Sequence, residues 1–210
     1  MGRLSKKQAE RILNLFTVND VLRPQLEKPF TAGDYICASD GHAIVAIPHL
    51  NIKGEDPSTL NIKESEVSQM ALNYLENNNT DISGVKLEVR QIHEFVQRHL
   101  VDETKFEDEK VYCSECGQSH YKSIEKKTGR KIGDEKKKAK ILGSPISARQ
   151  LWRLSEVSKI LDNNKVLLLS TDQVRNLFQV GEIKIMIMGL AIKGAARDEI
   201  IELYPEQFAY

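Results

Sequence analysis

The sequence predicts an α+β protein, and three local patterns carry that prediction. Near the start, Ser5–Phe16 sets Ala9, Ile12, Leu13 and Phe16 on one helical face and Lys6, Lys7, Glu10 and Arg11 on the other. Further on, Asp40-Gly41 separates two β-prone runs and marks a hairpin, because glycine takes the positive φ of a tight turn. Near the end, Lys140–Ile192 reads as one strand, one helix and three strands. Composition agrees: 40% hydrophobic and 29% charged residues suffice to bury a core.

The first helix begins at Ser5, an N-cap with Gln8 three residues on completing a capping box. Pro24 and Pro29 confine the stretch that follows to an edge or bulged strand. Tyr35, Cys37, Ile44, Val45 and Ile47 form the β-prone runs around Asp40-Gly41. Residues 49–65 are polar and read as a loop. Ser65–Asn77 is helical in pattern, Val85, Leu87 and Val89 alternate as a strand, and a short helix follows at Ile92–Leu100. Asp102–Glu109 is acidic and expected at the surface. Residues 49–138 as a whole are predicted to be an inserted lobe between better-formed halves at 1–48 and 139–210.

In the last part Lys140–Ile146 is a strand and Ser147 caps a helix whose Leu151, Leu154, Val157, Ile160 and Leu161 share a face. The runs KVLLLST, NLFQV and IKIMIM are the three strands, with Gly181-Glu182 turning between the last two. Along IKIMIM, Ile183, Ile185 and Ile187 face one way and Lys184, Met186 and Met188 the other. The tail Ala195–Tyr210 carries one short helix ended at Pro205.

Strand–helix–three-strand is also the repeat unit of DNA sliding clamps, and two stretches strengthen that likeness. Leu22-Arg23-Pro24-Gln25-Leu26 followed by Ala38-Ser39-Asp40-Gly41-His42-Ala43-Ile44 resembles the clamp's L-R-P-A-L and A-T-D-G-H-R-L segments. IKIMIMGLAI resembles a clamp's closing strand, which often ends M-P-M, with Gly189 at the proline position. The chain thus resembles the processivity clamp (DNA polymerase III beta subunit) as a single-domain divergent relative with an insertion. The resemblance implies a DNA-clamp-like α+β domain of two βαβββ-type half-units, with an inserted lobe. Ala43 departs from the arginine common after Asp-Gly-His, and the chain has room for one domain where clamps carry two or three.

A clamp presents lysines and arginines of its helices to the phosphates, a sequence-independent and salt-sensitive contact. Carried onto this chain, the DNA-binding set is Lys6, Lys7, Arg11, Arg23, Arg149, Arg153 and Lys159. The alternative is a solvated helix surface with local ion pairs. The implied partners are double-stranded DNA, replication proteins of a host, phage or mobile element, and further copies of the chain. A protein–protein adaptor on the same scaffold, its inserted lobe recognising a partner and with no direct DNA binding, is the competing function.

Thirty basic residues balance thirty acidic ones, so net charge points to no polyanion by itself. Lys122–Lys140 does hold nine basic residues against three acidic, which suits either a nucleic-acid contact or a solvated loop. Cys113-Ser114-Glu115-Cys116-Gly117 resembles one zinc knuckle, with His120 third and His93 or His99 fourth; a degenerate hairpin is the other reading. Zinc is the one cofactor considered. Neither His42 nor His49 is spaced to a nucleophile, and no phosphate loop, HExxH or G-x-S-x-G occurs, so no enzyme is expected. Three cysteines make no disulfide scaffold, Lys6 stands where a myristoylation signal wants Ser or Thr, and no apolar run would span a bilayer. A cytoplasmic protein is expected, with no membrane partner.

Overall fold

The computed structural model describes residues 3–19, 21–53, 66–76, 85–112, 119–132, 138–141, 144–171, 175–189 and 201–203. Its first half is helix α1 (Lys6–Asn14) followed by strands β1 (Phe30–Ala32), β2 (Tyr35–Ser39) and β3 (Ala43–Pro48). The Ser5 capping box forms as expected: Ser5 Oγ accepts from the Gln8 amide at 3.3 Å, and Gln8 Oε1 accepts from the Ser5 amide at 3.1 Å. Pro24 opens a short 3-10 turn (Pro24–Leu26) instead of a strand. Proline fixes the backbone that turn needs and has no N–H to donate to a ladder. The edge strand starts only after Pro29, at Phe30.

The second half is strand β8 (Ser144–Ser147), helix α4 (Ala148–Ile160), and strands β9 (Lys165–Thr171), β10 (Arg175–Val180) and β11 (Ile183–Met188). Ser147 caps α4, its Oγ accepting from the Gln150 amide at 3.3 Å. Gly181 turns β10 into β11 at φ 63°. The strand expected over Lys140–Ile146 is instead a hairpin of β7 (Lys138–Ile141) and β8, outside the main sheet. Pro145 cannot donate to a ladder, and β8 accordingly lies at an edge of its own three-stranded sheet. The third strand there, β12 (Ile201–Leu203), pairs parallel with β7 where the sequence suggested a helical tail.

Between the halves come helix α2 (Glu66–Glu76), strand β4 (Val85–Glu88), helix α3 (Val89–His99) and the strands β5 (Leu100–Tyr112) and β6 (Ser119–Ile132). The main sheet has seven antiparallel strands in the order β1-β2-β3-β11-β10-β9-β4. The two three-strand meanders therefore meet at their last strands, with Val45 opposite Ile185 and Ala43 opposite Ile187. α1, α3 and α4 cover one face, over a core that includes Ile12, Phe16, Val45, Phe95, Leu154, Phe178 and Ile185. α2 covers the other, packing Ala71 and Leu75 against Cys37, Ile44, Leu177 and Met186. The alternation along β11 agrees with the pattern read from IKIMIM.

The expected boundary of the inserted lobe does not match this packing. β4 pairs with β9, placing Leu87 opposite Val166, and Leu87, Val89, Ile92, Phe95 and Val96 are buried in the main core. Residues 85–99 thus complete the domain. What does stand outside the main sheet is the hairpin β5–β6, which forms a two-stranded sheet of its own. The acidic segment Asp102–Glu109 lies in β5, and the first part of the lysine-rich segment, residues 122–132, lies in β6. Asp102 lies opposite Arg130 and Glu109 opposite Lys122, although Lys105 faces Lys126.

Candidate functional site

The best-built feature on the α2 side starts from the Asp40-Gly41 turn. Gly41 has φ 85°, and a side chain there would also run into the Arg23 guanidinium. Asp40 Oδ1 accepts from the His42 and Ala43 amides, each at 2.8 Å, while Ser39 Oγ accepts from the Gly41 amide at 3.0 Å and donates to the Ala43 carbonyl at 2.9 Å. The Met188 amide then donates to the His42 carbonyl at 2.8 Å, fastening the turn to β11. The sequence reading of Asp-Gly-His as turn chemistry holds, and the turn is fully wired.

This turn walls a cavity of about 220 Å³ lined by Leu26, Ile44, Met70, Tyr74, Met186 and Met188, with Arg23, Gln25 and His42 at its rim. Met70 is 55% exposed, and Val21 and Leu22, just before Arg23, are each 89% exposed. Thioether side chains adapt to varied apolar shapes. The guanidinium of Arg175 stacks 5.7 Å from the Tyr74 ring centroid and stiffens that wall.

Asp40 also reaches the opposite layer. Its Oδ2 accepts from Arg153 Nη1 of α4, and both side chains are nearly fully buried. Gln150 Oε1 accepts from the same guanidinium nitrogen at 3.1 Å, and the Phe16 ring lies 5.2 Å from it. Burial pushes the Asp40 carboxyl up, but the Arg153 charge and hydrogen bond, with the two turn amides, outweigh it and hold it below its ordinary value.

The seven cations assigned to phosphate contact therefore do not form one set. Arg153 is 1% exposed and paired, so it is a core residue and is removed from the set. Arg23 lies at the pocket rim with residues of the α2 side. Lys6, Lys7 and Arg11 are exposed on α1. Arg149 is half-buried, and Lys159 donates to Glu156 at 2.8 Å as a local ion pair. α1 and α4 do share a layer: Gln8 Nε2 donates to the Ile160 carbonyl at 3.1 Å.

A second, wider groove of about 820 Å³ runs between α3 and the C-terminal turn of α4, with Arg90, His93, Arg98 and Lys159 among its lining. Glu94 answers Arg90 there at 2.8 Å. His93 Nδ1 is hydrogen-bonded to Ser155 Oγ, and burial together with the Lys159 charge lowers its pKa, against the pull of Glu156.

For zinc, Cys113 and Cys116 lie outside the described residues, in the six-residue connection between β5 and β6. His120 is on β6, opposite Val111. His93 belongs to α3 in the main core layer, where its Nδ1 is hydrogen-bonded to Ser155 Oγ. Among the described residues no group of three or more His, Cys, Asp or Glu could hold a metal ion. His42 is exposed on its turn, and His49 is half-buried with its amide donating to the Asp34 carbonyl. Burial pushes the Cys37 thiol up to about 12, consistent with a buried apolar residue on β2. Among the described residues no helix is long and apolar enough to cross a membrane.

No protein-family profile matches the chain, and no curated protein matches it. Among solved structures, a Helicobacter pylori beta clamp bound to a DNA ligase peptide is similar over 75% of this chain, at 15% identity and a TM-score of 0.30. The match covers 41% of that protein's chain, so this chain spans about two fifths of its length.

Proposed function

We propose that this protein is a non-catalytic, clamp-type binding module that associates with duplex DNA through sequence-independent phosphate contacts. The observation that carries the reading is the pairing of two αβββ halves. Their last strands meet at β3–β11 and their helices α1 and α4 share one face, the half-unit arrangement implied by the Asp40-Gly41-His42 and IKIMIM stretches. On that face Lys6, Lys7 and Arg11 of α1 are among the exposed cations that a phosphate backbone would meet. Fluorescence anisotropy with a duplex across a salt series tests it. Three phosphate contacts predict a slope of log affinity against log salt of about −2.7. Lys6→Glu/Lys7→Glu/Arg11→Glu should abolish binding. No binding at about 50 mM salt, with a strictly monomeric mass, sinks the reading.

The adaptor reading is favoured by a separate observation, the methionine-lined cavity with its exposed apolar shoulder. There the module would take a short partner segment, apolar in the cavity and acidic toward Arg23. Selecting a displayed heptapeptide library on the protein should enrich such sequences, and Met188→Lys should remove the enrichment. Equal enrichment on both proteins rejects the cavity as the site. Zinc remains a proposal for Cys113, Cys116 and His120, with the metal tying down the tip of the hairpin β5–β6.

A further inference from the structure

The buried Asp40–Arg153 pair lies outside both binding readings, yet it touches the parts each depends on. Asp40 uses one carboxylate oxygen to hold the His42 and Ala43 amides, which set the cavity's turn, and the other to accept from Arg153. Arg153 belongs to α4, on the opposite layer, where Gln150 and the Phe16 ring of the segment after α1 fix its guanidinium. The turn is also bonded to β11, whose Met188 lines the cavity, through the Met188 amide and His42 carbonyl. A continuous path of fixed groups therefore runs from the helical layer to the cavity wall.

We propose that Asp40 and Arg153 are positioning residues for the cavity: their ion pair lets the seat of α4 set the shape of the Gly41–Ala43 wall. This rests on the cavity being a docking site. Had the pair served the core alone, the turn's own hydrogen bonds would keep the wall in place without it. Asn at position 40 retains an oxygen for the turn amides, and Met at 153 fills the guanidinium's space without charge. Neutral replacement of a buried pair is commonly tolerated, whereas removing one partner is not.

The experiment compares wild type with Asp40→Asn/Arg153→Met by amide hydrogen exchange at His42 and Ala43 and by the ε-methyl NMR signals of Met186 and Met188. Thermal melting is followed in parallel. The expected result is a folded double variant in which both turn amides exchange at least about tenfold faster and both methyl signals move. A folded double variant with unchanged exchange and unchanged methyls overturns the proposal. Arg153→Lys keeps the charge but has no planar fork to serve Asp40 and Gln150 together. It should give exchange between the wild-type and double-variant values. Wild-type exchange in Arg153→Lys, or loss of fold in both variants, assigns the pair to the core alone and likewise overturns the proposal. These signals need no ligand, so a failed peptide selection rejects the docking reading without altering them.

Discussion

Arg153 sits four residues before Val157, at the edge of the apolar stripe of α4, and that position decides its fate. It is carried under the α1 side of the layer, where it is 1% exposed and Asp40, Gln150 and the Phe16 face receive it. Truncating it leaves a buried carboxylate without its cation, so Arg153→Ala should lower unfolding free energy by about 3–5 kcal/mol, measured by urea denaturation. The same pair gives a pH dependence. Asp40 titrates lower when folded than when unfolded, so its contribution is complete above its unfolded pKa of about 3.9 and declines as acid protonates the folded carboxyl. Between neutral pH and about pH 2, wild type should lose more stability than Asp40→Asn, whose side chain does not titrate. Parallel pH profiles would contradict this. At Gly41 the cause is the backbone: Gly41→Ala should destabilise by at least about 1 kcal/mol, since a left-handed φ penalises any Cβ and Arg23 occupies the space.

At the scale of elements, what could be read in the sequence was whatever is decided within a few residues. The caps of α1 and α4, the Gly41 and Gly181 turns and the alternation of β11 all follow from neighbours three or four positions away. Pairings between distant segments were not legible in that way. β4 looked like part of an insertion because nothing near Val85 reveals its partner, Val166 and Leu168 of β9. The acidic stretch read as surface and the lysine-rich stretch as either a nucleic-acid contact or a solvated loop; neither reading showed that the two pair in the hairpin β5–β6. The cavity was half legible, since Asp-Gly-His announced the turn, but Met70 and Tyr74 come from a helix with no sequence link to it. The burial of α3 can be tested directly. Phe95→Ala should cost about 3–5 kcal/mol in a single transition followed by the lone tryptophan, Trp152 of α4. An unchanged midpoint would mean that α3 folds apart from the rest.

For the whole molecule, the described residues end the main sheet in two edge strands, β1 and β4, each short, with three and four residues. Short edges limit unwanted strand addition, which matters for a chain whose proposed role involves further copies of itself. Native mass spectrometry addresses that scale in one measurement. Masses at multiples of the 23.8 kDa subunit are expected if copies assemble, and an increment of one zinc per chain, lost on Cys113→Ser, if the knuckle is loaded. A bare monomer at every concentration would contradict both.

The seam between β3 and β11 also bears on how the chain is made. Ala43–Pro48 leaves the ribosome long before Ile183–Met188, which it must pair with. At roughly 5–20 residues per second, the delay is on the order of ten seconds. For that time the newborn first half holds an apolar strand, Ala43 to Ile47, with one row of amides and carbonyls unclaimed. Translation speed and holding chaperones, more than the final stability of the sheet, should therefore govern how much of this protein a cell recovers.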